Sequence, residues 1–150
     1  MSKLLIAMLT FLQAATATTT TPHILYILAD DLGWRYVDWH RTDLVNSSLT
    51  PNLHALLQEG IELDRLYAFK YCSPSRSSIQ SGRNPISVNV QNVVPEVSNP
   101  KDTTGGWQGI PTEMTTIATI LKTTGYKTHI VGKWDVGMAT EKHHPRARGY

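Results

Sequence analysis

The sequence predicts an α/β fold built on a largely parallel sheet, and three observations carry that expectation. Short, nearly continuous apolar runs alternate with segments of helical periodicity, in the order strand, helix, strand, helix, helix, strand. The first run, His23 to Ala29, is apolar on both alternating faces, as in a strand covered by helices on either side. The residues with chemical potential fall just after the runs, where ligand groups gather in such sheets.

Taken in order, the strand candidates are His23 to Ala29, a segment within Ile61 to Phe69, and Lys127 to Val131. Thr50-Pro51 opens a helix, with Thr as N-cap and Pro at the first helical position. Leu53, Leu56 and Leu57 give it a helical stripe, and Gly60 closes it. Ser75 to Ser81 forms a short helix stopped by Gly82. Thr115 to Thr124 forms another, with Ile117, Ile120 and Leu121 on one face and Gly125 beyond. Pro85 to Pro111, rich in Pro and Gly, reads as a long loop, and Gly132 to Tyr150 as loop again.

Composition narrows the class. The chain has 150 residues, 41% hydrophobic and 17% charged, with net charge +2. This is too apolar for a disordered segment and too neutral for a general attraction to nucleic acid. No apolar run reaches the ~20 residues of a membrane span. Lys3, the apolar stretch Leu4 to Leu12, and Ala15-Thr16-Ala17 follow the grammar of a secretory signal peptide, so residues 1–17 are expected to be a leader and residues 18–150 the folded part. Asn46-Ser47-Ser48 is a glycosylation sequon in that setting. The single cysteine, Cys72, reads as a small buried hydrophobe, an intermolecular bridge or a thiol with a task.

Three constellations carry chemistry. Asp30-Asp31 places two carboxylates after a buried strand, which a hard divalent cation would neutralise; the plain alternative is a solvated turn. Cys72-Ser73-Pro74-Ser75-Arg76 lies at a strand-to-helix turn, where free N–H groups, the positive end of the helix dipole and the Arg76 guanidinium favour a thiolate or a tetrahedral oxyanion. Gly132-Lys133-Trp134-Asp135 supplies a further cation, Lys133. His143-His144 lacks a third ligand nearby and reads as solvated loop, and His129 as a satisfied strand residue. Trp34 and Trp134 flank these motifs as pocket walls or core. Lys142, Arg146 and Arg148 form a modest basic patch, open to a sulfated polymer or simply solvated.

Cys72-Ser73-Pro74-Ser75-Arg76 with Ser81-Gly82-Arg83 resembles the sulfatase signature. Asp30-Asp31-Leu32-Gly33-Trp34 resembles that family's N-terminal metal motif, Thr50-Pro51-Asn52-Leu53 its following helix start, and Gly125 to Trp134 its next strand and loop; the nearest likeness is to the arylsulfatase B-like branch. The resemblance runs from Pro22 to Tyr150 and implies the N-terminal part of an alkaline phosphatase-like sulfatase fold. It implies that Cys72 is converted to formylglycine by a formylglycine-generating enzyme reading Cys72, Pro74 and Arg76. One hydroxyl of the aldehyde hydrate then attacks the sulfur of a sulfate ester, displacing the alcohol, and the other loses its proton and expels sulfate as the aldehyde reforms. It further implies calcium held partly by Asp30, Asp31 and residue 72, with Arg76 on the hydrate and Lys133 on the sulfate. The implied substrates are aryl sulfates or sulfated amino sugars of glycosaminoglycans, in a secreted or lysosomal protein.

Two departures stand out. The family pattern carries His where this chain has Asp135, leaving Asp135 as a site residue in an altered role, paired with Lys133 or Arg76. Family members are also several times longer, so the alternative is a truncated, inactive product that binds an anion or a partner. A related phosphatase is the third reading, disfavoured because such enzymes carry Ser or Thr as nucleophile.

Overall fold

In the computed structural model, residues 21–43, 49–88 and 109–150 are described. The signal-peptide segment, the sequon and Trp107 lie outside them. The chain divides into two compact units, Met1–Asp31 and Leu32–Tyr150.

Of the first unit, residues 21–31 are described. They form neither helix nor strand, and they end in a turn at Asp30 and Asp31. Ile24, Leu25, Tyr26 and Ile27 are all exposed, Leu25 at 85%. The expected strand is therefore not formed here. Nor is any other strand found among the described residues, so residues 61–69 and 127–131 also run without sheet pairing. A strand exists only through a partner's N–H and C=O groups. These apolar runs have the composition for pairing but no ladder, and much of their apolar surface stays in water: Ile61 is 89% and Val131 99% exposed.

Helices form where the sequence places them, because their hydrogen bonds are local. In the second unit α1 spans Pro51–Glu59, α2 Cys72–Ser81 and α3 Ile117–Thr123. Pro51 sits in the first turn of α1, where a missing N–H costs nothing. Thr50 precedes the helix but does not cap it with its side chain. Its hydroxyl instead donates to Asp38 Oδ1 at 3.0 Å and accepts from the Asp38 N–H at 3.3 Å, tying α1 to the 3-10 turn Asp38–His40. The leucine stripe of α1 remains open, with Leu53 and Leu56 exposed. On α3 the buried position is Ala118, while Ile117 and Ile120 face out. Thr116 caps α3 through the Thr119 N–H and donates its own hydroxyl to the Arg148 carbonyl at 2.6 Å.

The core of this unit is small: Val88, Ile110, Trp134 and Val136, with Met114, Ile130 and Tyr150 packed against it. Trp134 meets Tyr150 edge to face at 5.9 Å and donates its indole N–H to the carbonyls of Gly137 and His143. The backbone passes close here. A Cβ on Gly109 would lie 2.5 Å from the Val136 carbonyl oxygen, so only glycine fits. The final segment folds as two 3-10 turns, Glu141–His143 and Pro145–Arg148, rather than as open loop.

Two residues expected in solvated loop are buried. Arg148 is 5% exposed and donates to the carbonyls of Thr112, Pro111 and Met114, at 2.8, 3.2 and 2.6 Å. It is a structural clamp and drops out of the basic patch. His143 is 4% exposed, with Nδ1 2.8 Å from the Thr140 hydroxyl. His129, expected inside, is exposed.

Burial pushes the His143 pKa below its ordinary value; the Arg148 and His144 charges act the same way, and Glu113 opposes them. The folded state thus prefers the neutral imidazole. Below about pH 6.5 the unfolded chain binds the extra proton first, so this contribution is full above that pH and is lost as pH falls through the lowered folded value. Thermal unfolding followed from about pH 7.5 to 5 should show a falling Tm that His143→Gln flattens.

Candidate active site

α2 is a serine-rich helix of modest intrinsic propensity, and its hydroxyls explain why it holds. The Ser75 N–H bonds the Tyr71 carbonyl at 3.2 Å, closing the first turn, and Pro74 sits in that turn, where its missing N–H is tolerated. Ser77 donates to the Pro74 carbonyl at 2.9 Å and Ser81 to the Ser77 carbonyl at 2.6 Å. Ser75 donates backwards to Phe69, and Ser78 forwards to Arg83. Gly82 ends the helix in the left-handed region at φ 67°. Ser73 and Ser77 form the buried face, at 3% and 0% exposure.

Cys72 is therefore the first residue of α2 and half-buried. It is neither sealed in the interior nor fully in water. Backbone N–H groups of a helix's first turn point outward unbonded, so this end suits an anion or a developing negative charge.

The second contribution comes from the 132–137 turn. Trp134 and Val136 are both buried and anchor it, while Asp135 between them takes φ 57°. That left-handed conformation is uncommon outside glycine and is best tolerated by Asn and Asp. One carboxylate oxygen of Asp135, Oδ2, accepts from the Ser73 hydroxyl at 3.0 Å and lies 3.9 Å from Lys133 Nζ. Arg76 Nη1 donates to the Lys133 backbone carbonyl at 2.7 Å. Four residues of two motifs some sixty positions apart are thus linked: Ser73 and Arg76 on α2, Lys133 and Asp135 on the turn. Lys133, one of the two partners expected for Asp135, lies at ion-pair distance from it. Ser73 was not singled out by sequence reasoning. Its signal, had it been followed, was a hydroxyl inside a helix start beside Cys72.

Asp30 and Asp31 close the first unit, both exposed, and Asp31 takes φ 53°. Strand alternation is broken at this point, which is what two consecutive carboxylates need before they can serve one ion.

Trp34 stacks on His40 at 3.4 Å, which gives it a structural contact, and Trp134 belongs to the core. A groove of about 900 Å³ lies elsewhere in the second unit, lined by His129, Glu141, His144, Arg146 and Tyr150 among others; Cys72, Arg76, Lys133 and Asp135 are not among its lining residues.

Comparison with known proteins decides the family. The Sulfatase family profile matches residues 22–150. The chain belongs to the sulfatase family. Among curated sulfatases, arylsulfatase J of Mus musculus is 35% identical over 138 residues, covering 92% of this chain and 21% of that protein. Arylsulfatase A of Bos taurus is 34% identical over 131 residues, covering 87% and 24%. Steryl-sulfatase of Homo sapiens is 30% identical over 144 residues, covering 92% and 24%. The crystal structure of Ps i-CgsB superposes with a TM-score of 0.68 at 31% identity, over 83% of this chain and 25% of that one. The chain thus spans 21–24% of the length of these curated sulfatases.

Proposed function

We propose that the chain is the N-terminal, signature-bearing part of a sulfatase that hydrolyses sulfate esters through a formylglycine made from Cys72. The observation that carries this reading is the Asp135 side chain, which joins the helix start bearing Cys72 to Lys133. An electrophilic or nucleophilic centre at residue 72 then has an ammonium and a guanidinium on neighbouring backbone, suited to an oxyanion. Residue 72 is the nucleophile precursor, Arg76 steadies it, and Lys133 meets the sulfate. The substrates are aryl sulfates or sulfated amino sugars of glycosaminoglycans.

Calcium fits the donor chemistry. Asp30 and Asp31 offer hard oxygens from a turn that leaves strand geometry. Together with the modified residue 72 they would supply part of its six to eight ligands. When bound, the ion polarises sulfate oxygens and favours ionisation of a hydroxyl. Residues 1–17 are the leader that takes the chain into the secretory pathway, where the formylglycine-generating enzyme reads residues 72–76, and the destination is extracellular or lysosomal. No helix among the described residues is long and apolar enough to cross a membrane.

Asp135 favours a second reading. A carboxylate where the family carries His puts negative charge beside an anion site, as in a fragment that binds an anion or a partner without turnover. One experiment separates the two. The protein is produced in a secretory host, the peptide spanning residue 72 is weighed, and chromogenic aryl sulfate and aryl phosphate are offered. Formylglycine with sulfate release is the expected result. An unmodified thiol without turnover establishes the second reading, and preferential phosphate release would make the protein a phosphatase.

A further inference from the structure

We propose that Ser73 is a positioning residue that sets the Lys133 ammonium, acting through Asp135. The inference rests on the reading of Lys133 as a sulfate contact. Ser73 lies in the first turn of α2, 3% exposed, with its hydroxyl 3.0 Å from Asp135 Oδ2. The same oxygen is 3.9 Å from Lys133 Nζ, so a buried hydroxyl and a partly exposed ammonium share one acceptor. A lysine side chain has many rotamers to lose, and a carboxylate fixed by a buried donor restricts where its ammonium resides. The Arg76 bond to the Lys133 carbonyl holds the backbone of the same residue at 2.7 Å, while Asp135 meets its side chain. The donated hydrogen bond also draws off carboxylate charge that would otherwise face the anion. In this chain, then, Asp135, held by Ser73, stands where the family pattern carries His.

The test uses Ser73→Ala, Ser73→Thr, Asp135→Asn and the double variant Ser73→Ala/Asp135→Asn in the full chain. Ser73→Ala should raise KM for aryl sulfate about tenfold while kcat changes less than about threefold, the scale of one hydrogen bond to a charged group. Ser73→Thr keeps the hydroxyl and should restore KM to within about twofold. The double variant should be no worse than the single ones, because both break one link. Amide hydrogen exchange gives a readout independent of turnover: residues 133–136 should exchange faster in Ser73→Ala while α2 stays protected. Unchanged KM and exchange in Ser73→Ala, or multiplying effects in the double variant, would overturn the proposal. If the unaltered protein releases no sulfate, the sulfatase reading fails, and the exchange result alone decides whether Ser73 holds the turn.

Discussion

Cys72→Ala should abolish sulfate release, lowering kcat/KM by at least about a thousandfold. The reason is chemical. In the proposed reaction residue 72 forms and breaks the covalent bond to sulfur, and no other side chain of the linked set can replace it: Ser73 is committed to Asp135, while Arg76 and Lys133 are cations. A methyl group in the half-buried first position of α2 leaves the helix intact, since alanine is a strong helix former. Circular dichroism should therefore match the parent while turnover vanishes. Cys72→Ser tests the same point more finely. A plain hydroxyl can attack once, but it lacks the second hydroxyl that expels sulfate, so a stable sulfated serine should accumulate in place of multiple turnover. Parent-like rates in Cys72→Ala would remove residue 72 from the mechanism.

The largest stability effect should come from Arg148→Ala. Three carbonyls in the segment leading to α3 depend on this one guanidinium, and its own backbone carbonyl takes the Thr116 hydroxyl that caps the helix. Burial lowers the Arg148 pKa, with Glu113 opposing, so desolvation of the charge is offset chiefly by the hydrogen bonds it makes. Truncation removes all three donors and leaves a void, with an expected loss of about 3–5 kcal/mol in denaturant unfolding. Arg148→Lys keeps a charge but not the planar fork, and should recover only part of that. Arg146, two residues earlier and exposed, is the internal control: Arg146→Ala should stay within about 0.5 kcal/mol. Equal effects at the two positions would contradict the clamp.

The helices were readable because their causes are local. Thr50-Pro51 and Gly60 bound α1, and Gly82 stops α2 where the left-handed cap is required. The start of α2 lies three residues earlier than the sequence suggests, at Cys72 rather than Ser75, with Pro74 as the third helical residue. The strands were the failure. Apolar runs at 23–29, 61–69 and 127–131 predict sheet, yet sheet pairing requires partners distant in the chain, and no ladder forms among the described residues. His129 is exposed for the same reason.

The candidate site divides in a similar way. Residue chemistry points to Asp30, Asp31, Cys72, Arg76 and Lys133, since carboxylate pairs, a lone cysteine at a helix start and cations after apolar runs are visible as letters, while Asp135 enters only through the family resemblance. It missed Ser73, whose importance is a 3.0 Å contact across sixty-two positions, and it misjudged Arg148 and His143, whose charges look solvated until the 3-10 turns enclose them.

Local hydrogen bonding and backbone preference thus place the helices, and residue order gives the identity of the reactive groups. Folding in space settles which of those groups meet. It joins Ser73 to Asp135, turns Arg148 inward and presents Cys72 half-covered, because contacts between distant segments depend on how the chain packs and no short stretch of sequence contains both partners.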